Sequence, residues 1–394
     1  MSRIPISGIG VIAPNATGVD AFRALLASGV TTIREVDRFD TNGLSAHKAA
    51  LVRDFKARDF IAPMKMRRMN GLSRLGVAAA KLAIEDSGGA LSEQTGVAIG
   101  TAFGPVQTSV DYMQEYIDKG ASLAPPQLFA ESVANAPGSH IAIEWGLRGF
   151  NITITQRESS ALAAAMMAST QLLKGALQTV LIGGVDDANE MLFSVLDRIG
   201  ALAHADGDMD EAVRPFDRRR NGLAIGEGAA VFVAGAASRK PYGWLSGFGI
   251  ARDTSASISD WGTDATAVVM AMRAALDDAE LSLDAIDAIY ASANGSRRGD
   301  ALEEAAVQSL FGDRMPPIVA TKGVFGEYAA GGALQLAAAL LAIDEQKLHP
   351  SVGFEEGSLP VNRTTRDAEL RHMLVNSLSA GGCIVCAVIS REGA

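Results

Sequence analysis

The stretch from Asn151 to Ala163, NITITQRESSALA, decides how this chain is folded. From Asn151 to Thr155 polar and β-branched residues alternate with the period of two that marks a strand, and from Ser159 onward the sequence becomes an Ala/Leu/Met run. A strand that turns this sharply into a helix places Glu158 at a helix N-terminus, where free backbone N–H groups favour a thiolate or an oxyanion. The position carries a carboxylate instead. The helix that follows, SSALAAAMMASTQLL from Ser159 to Leu173, is apolar or small nearly all round, which predicts burial on every side.

Working outward, the same pattern occurs twice. PISGIGVIAP at 5–14 resembles GWLSGFGIAR at 243–252, GVAAAKLAIEDSG from Gly76 resembles VMAMRAALDDAEL from Val269, and VAIGTAFG from Val97 resembles AIYASANG from Ala288. The strand, Glu158 turn and Ala-rich helix correspond to IVATKGVFGEYAAGGALQLAAALLAI from Ile318. The order is the same in both halves, so the chain reads as a duplicated α/β unit whose crossovers bury central helices between sheets. The halves are expected at 1–237 and 238–394, with the break near Ala237 to Pro241. The first half carries insertions at about 15–69 and 106–137, of the size that builds caps and subunit contacts.

A chain of 394 residues, 48% of them hydrophobic, can bury a large core. Its net charge of −10 argues against nucleic acid or an anionic membrane as partner. An acidic partner would need a local basic patch such as Arg218, Arg219 and Arg220, although that run by itself reads as a solvated loop. No signal-like stretch opens the sequence and ALQLAAALLAI from Ala333 is too short to span a bilayer, so a soluble, cytoplasmic protein is expected. Cys383 and Cys386 are spaced CxxC but lie inside CIVCAVI, which reads as a buried strand rather than a redox site. His47, His140, His204, His349 and His372 show no zinc-binding pairing, and no metal or cofactor is expected.

Four further marks, in this order and spacing, are specific: SGIGVIAP at 7–14, RPFDRRRNGLAIGEGAA at 214–230, Thr321-Lys322, and NSLSAGG at 376–382. With them the chain resembles the thiolase-fold β-ketoacyl synthases over nearly its whole length. The resemblance implies two duplicated βαβαβ halves forming a layered α-β-α-β-α sandwich. Active members use a cysteine at the strand-to-helix turn and two histidines. Here the cysteine position, counted from GLRG at 146–149, is Glu158; the first histidine, in SANGSRRGD at 292–300, is Asn294; the second, in TKGVFGE at 321–327, is Glu327; and Lys322 is retained. The family's SFGFGG gate reads SLSAGG, with Leu378 and Ala380 in place of its phenylalanines.

The missing residues supply an acyl-accepting thiolate and oxyanion stabilisation. An acyl-carboxylate would be a mixed anhydride, and a second carboxylate would repel a developing enolate. A degenerate ketosynthase resembles the chain-length factor of a type II polyketide or aryl polyene synthase, where glutamine is the usual replacement; Glu158 after Gln156 and Arg157 departs from it. That resemblance implies a non-catalytic subunit that pairs with an active ketosynthase as a heterodimer and works on chains bound to acyl carrier protein. The alternatives are a malonyl-carrier-protein decarboxylase and a homodimeric acyl-binding pseudoenzyme. Glu158, Arg157, Lys322, Asn294 and Glu327 are expected to converge, with Lys322 pairing Glu158 and the helix N-terminus keeping it ionised. Tyr112, Met113, Tyr116, Leu128 and Phe129 are read either as a tunnel floor at the subunit interface or as an ordinary core stripe.

Overall fold

The computed structural model describes residues 3–89, 91–236, 239–258 and 260–393, so the expected break at Ala237–Ser238 lies outside the described residues. Ten strands form the main sheet. The first half supplies β1 (Ile4–Ala13), β2 (Gly96–Gly100), β3 (Asn151–Ile154), β4 (Thr179–Asp186) and β5 (Gly228–Gly235). The second supplies β6 (Gly243–Arg252), β7 (Ala288–Tyr290), β8 (Ile318–Val319), β9 (His372–Leu378) and β10 (Cys383–Ser390). Their spatial order is β8-β7-β9-β10-β6-β1-β5-β4-β2-β3, with a two-residue strand, Ala16–Thr17, against β1.

Read outward from the centre, each half has the order first, fifth, fourth, second, third, and the same mixture of parallel and antiparallel pairs. The halves meet where β1 runs antiparallel to β6, with Ile4 opposite Leu245 and Ile6 opposite Gly243. Mixed rather than wholly parallel sheets follow because the first and fifth strands of each half pair antiparallel with their neighbours.

Helix α1 (Gly71–Ser87) starts at Asn70, whose side chain accepts the Ser73 N–H at 2.6 Å, and ends at the left-handed Gly88. Its backbone presses on β1: a Cβ on Gly8 would lie 2.2 Å from the Ala83 carbonyl oxygen, and one on Gly10 2.0 Å from that of Ala79. The repeat shares this contact. Gly247 and Gly249 give the same clearance to the carbonyls of Ala275 and Ala271, at 2.4 and 2.0 Å. The SGIG and SGFG motifs are thus the close-approach points of equivalent helices.

The 106–137 insertion forms α2 (Val106–Lys119) and α3 (Pro126–Glu131), which pack on each other and lead into α4 (Ala136–Trp145). Helix α5 (Ser160–Leu173) is buried all round only over its first turns; Met167 and Leu173 are exposed where it runs beside β3, which lies at the sheet edge. The second half adds α6 (Ala265–Asp278), α7 (Arg297–Phe311) and α8 (Ala333–Glu345). Helix α8 is buried from Ala333 to Ile343. Helices α5 and α8 touch strands of both halves and form the middle layer, while α1 with α4 and α6 with α7 cover the two outer faces. This is the five-layered α-β-α-β-α arrangement.

Cys383 and Cys386, three residues apart on β10, project to opposite faces of the strand as free thiols. Among the described residues no helix is long and apolar enough to cross a membrane.

Candidate functional site

The turn between β3 and α5 is set by Arg157, whose φ of 47° lies in the left-handed region, and it directs Glu158 inward. Serines at the end of β9 and in the loop after it hold the turn. Ser379 Oγ donates to the Gln156 carbonyl at 2.7 Å and accepts the Ser159 N–H at 3.0 Å; Ser377 Oγ donates to the Glu158 carbonyl at 2.9 Å. Ser159 Oγ returns a bond to the Ser377 carbonyl at 2.8 Å. The SLSAGG variation therefore fastens the nucleophile turn instead of guarding it.

Glu158 is fully buried, and neither carboxyl oxygen meets a donor in hydrogen-bonding geometry. Burial, and next the charge of Glu327, push its carboxyl up to about 7, against the opposing pull of its own N–H, Lys322 and Arg157. Lys322 does not pair with it. Its ammonium lies 2.6 Å from Glu327 Oε2, an oxygen that also accepts the Asn294 amide at 2.7 Å, while Oε1 takes the Tyr328 N–H at 2.9 Å. Lys322 and Glu327 are five residues apart on one tight turn, so the lysine is neutralised locally and the Glu158 carboxyl stays raised above its ordinary value.

Asn294, Lys322 and Glu327 are in direct contact, with Glu158 and Arg157 acting on them through charge. Arg157 lies over the Phe103 ring at 5.8 Å, and Phe103 meets the buried Tyr328 ring edge-on at 4.9 Å. Burial and the two nearby glutamates hold the Tyr328 phenol well above its ordinary value.

Two further carboxyls belong to this centre: Asp300, which closes the SANGSRRGD stretch but was given no role there, and Glu303, which lies beyond it. Asp300 accepts the N–H groups of Asn294, Gly295 and Phe216 at 3.0, 3.1 and 2.8 Å, and burial pushes it up to about 6. Glu303 accepts Ser292 N–H and the Asn376 amide, both at 3.0 Å, and burial pushes it up to about 7. Asp300 and Glu303 share the inner face of α7 at i, i+3, a spacing visible in GDALEE. The structure thus gathers several buried carboxyl groups and one committed lysine around Glu158. The Asn294 amide and the Lys322 ammonium both donate to Glu327.

Tyr112, Met113, Tyr116, Leu128 and Phe129 lie apart from this centre, on the α2–α3 hairpin. Tyr112 stacks near Phe129 and Tyr116, with centroids 5.5 and 6.4 Å away, and Met113, Tyr116 and Phe129 are 50%, 43% and 57% exposed, so they are not a core stripe. The Arg218–Arg220 run borders a cavity of about 770 Å³ together with Arg297. Arg218 and Arg219 pair with Glu356 and Glu355 at 2.9 and 2.6 Å, and Arg220 with Glu304 at 3.4 Å. Among the described residues no cluster of side chains fits a metal ion.

Residues 1–238 match the family described as beta-ketoacyl synthase, N-terminal domain, and residues 242–355 match beta-ketoacyl synthase, C-terminal domain. The chain is 31% identical to the tetracenomycin polyketide synthase ketoacyl synthase alpha subunit of Streptomyces glaucescens, over 90% of this chain and 88% of that one. It is 28% identical to the beta subunit of the same synthase, over 99% and 98%. Among solved structures it is similar to the ishigamide ketosynthase/chain length factor, with a TM-score of 0.91, 27% identity and 99% of both chains covered.

Proposed function

The chain belongs to the β-ketoacyl synthase family, and from that premise we propose that it is a chain-length-factor-like subunit. In this reading it performs no condensation, pairs with an active ketosynthase, and shapes the tunnel for chains carried on acyl carrier protein. The observation that supports the proposal is the buried group of Glu158, Glu327 and Lys322, in which the lysine is taken by Glu327; in this reading the group stands in the place of the nucleophile and one oxyanion donor.

The surface supports pairing with another subunit. Strand β3 bonds β2 along one side and is the outermost strand of its half. Beside it the exposed Met167 and Leu173 of α5, together with Ile143 of α4, offer apolar area, and the α2–α3 hairpin adds Met113, Tyr116 and Phe129. Tyr112, Met113, Tyr116, Leu128 and Phe129 are in this proposal the tunnel floor completed by the partner.

Decarboxylation of a malonyl group has less support, because the developing enolate would face Glu327 and Asn294 where it needs free donors. The test is native mass spectrometry of the tagged protein from its own host. The proposal expects a complex of this 41.0 kDa chain with one different subunit that contains the cysteine and both histidines. A homodimer alone would refute it and favour an acyl-binding pseudoenzyme.

A further inference from the structure

The hairpin of α2 and α3 is held by bonds more than by burial. Of the residues in its two helices Thr108 alone is buried, and Ile117 and Leu123, toward its tip, are 70% and 67% exposed. An element that buries so little apolar surface gains little position from packing, so particular bonds have to set its place.

Those bonds converge on Glu131, the last residue of α3. Its Oε2 accepts the Asn70 N–H at 3.1 Å, its carbonyl accepts the Asn70 side-chain amide at 2.7 Å, and its Oε1 lies 2.7 Å from His140 Nε2. Asn70 caps α1 and His140 stands on α4, and these two helices pack against each other. One carboxyl group thus joins the end of the hairpin to two helices of the body. The Glu131 and His140 side chains are largely buried, which shields the contact from water.

The start of α1 shows why a distant residue is used. In a capping box the third residue of the helix is Glu or Gln, and its side chain reaches back to the N–H of the capping residue. Here the third residue is Ser73, whose N–H is accepted by Asn70 Oδ1 at 2.6 Å but whose own Oγ is buried without a partner. The Asn70 N–H is therefore open to another element, and Glu131 supplies the acceptor. Its charge makes this bond stronger than one to a neutral group. Two further ties are longer: Gln127 donates to the Arg67 carbonyl at 3.3 Å in an exposed position, and the Ser109 hydroxyl donates to the Ser132 carbonyl at 3.3 Å within the root of the hairpin.

We infer that Glu131 is the positioning residue of the α2–α3 hairpin: its carboxylate seats the hairpin on α1 and α4 and so fixes where Tyr112 and Phe129 stand. The seating is a property of this chain by itself, whereas its effect on products rests on the tunnel-floor reading proposed above.

The test is amide hydrogen exchange of the full chain, followed by peptide mass spectrometry, with the buried helix α8 as the reporter of general loosening. Glu131→Ala should speed exchange across α2 and α3 by about tenfold while α8 is unchanged. Glu131→Gln keeps an acceptor for the Asn70 N–H and should recover most of the protection. Unchanged exchange in α2 and α3 after Glu131→Ala overturns the inference, and so does an equal rise in α8 or a rise with glutamine as large as with alanine. If Glu131→Ala does not fold, Glu131→Asp, too short to reach both Asn70 and His140, takes its place with the same results deciding. In the complex with a ketosynthase, Glu131→Ala should also shift product length. Faster exchange with unchanged product length supports the seating and removes the tunnel floor, so the two failures are told apart.

Discussion

Glu158→Gln should make the protein more stable above neutral pH and leave it nearly unchanged in mild acid. In the folded chain burial and Glu327 raise the carboxyl from 4.5 to about 7. Below the unfolded value both states are protonated and the group imposes no penalty. Between the two values the unfolded chain releases a proton that the folded chain keeps, so stability falls by about 1.4 kcal/mol per pH unit. Above the folded value the loss is constant, at about 3 kcal/mol for this span. Glutamine cannot ionise and fits the same space. Urea unfolding of both proteins at pH 5 and pH 8 measures the effect; buried carboxyls that do not act on Glu158 cancel in the comparison, while Glu327, whose charge is coupled to it, is part of the difference read. The variant should gain up to about 3 kcal/mol on the wild type between the two pH values. Parallel pH profiles for the two proteins would refute the reasoning, since they would mean that Glu158 titrates alike in the folded and unfolded chains.

Lys322→Met leaves Glu327 as a buried carboxylate held by neutral donors only and should destabilise the fold by about 3 to 5 kcal/mol, whereas Lys322→Met with Glu327→Gln should recover most of the loss; denaturant midpoints of the three proteins decide it. Glu158→Cys restores a thiol at the helix N-terminus but not the two oxyanion donors, so it should give no condensation product from acyl and malonyl carrier protein, and measurable turnover would show that Asn294 and Glu327 can do the histidines' work. In the complex with a ketosynthase, alanine at Tyr112, Met113, Tyr116, Leu128 or Phe129 should lengthen the product for at least one position, read by mass spectrometry; unchanged length for all five removes the tunnel-floor proposal.

The duplicated architecture was legible because its marks are backbone constraints. The paired glycines of SGIG and SGFG must be glycine for a helix carbonyl to approach, so the repeat shows in the sequence as well as in the sheet order. The strand-turn-helix around Glu158 was legible for a similar reason, a change of period from two to helical spacing at one residue. Charge pairing was not. Sequence order gives no distance between Glu158 and Lys322, and the nearer partner on the same turn, Glu327, takes the lysine. The exposure of Met167 and Leu173 was hidden because an Ala-rich helix reads the same whether its end lies in a core or at a sheet edge. Asp300 and Glu303 were passed over because acidic residues at the start of a helix are common on surfaces, and only the packing of α7 turns these two inward.

The carboxyls also explain how the buried polar centre is satisfied. Unfilled hydrogen-bonding positions in a buried polar centre are poorly tolerated by a fold. Here Asn294, Lys322 and Glu327 satisfy one another as a neutral set, one cation to one anion, closed by an amide. Glu158 then fits only if it adds no charge, and its elevated carboxyl value supplies that condition near neutral pH. The serines at 377 and 379 hold the surrounding turn through its backbone and Ser159, independently of the Glu158 side chain, so the local geometry does not need a nucleophile. A centre of this kind favours a quiet protonated state over reactivity. The arrangement ties part of the stability of this centre to a proton on Glu158.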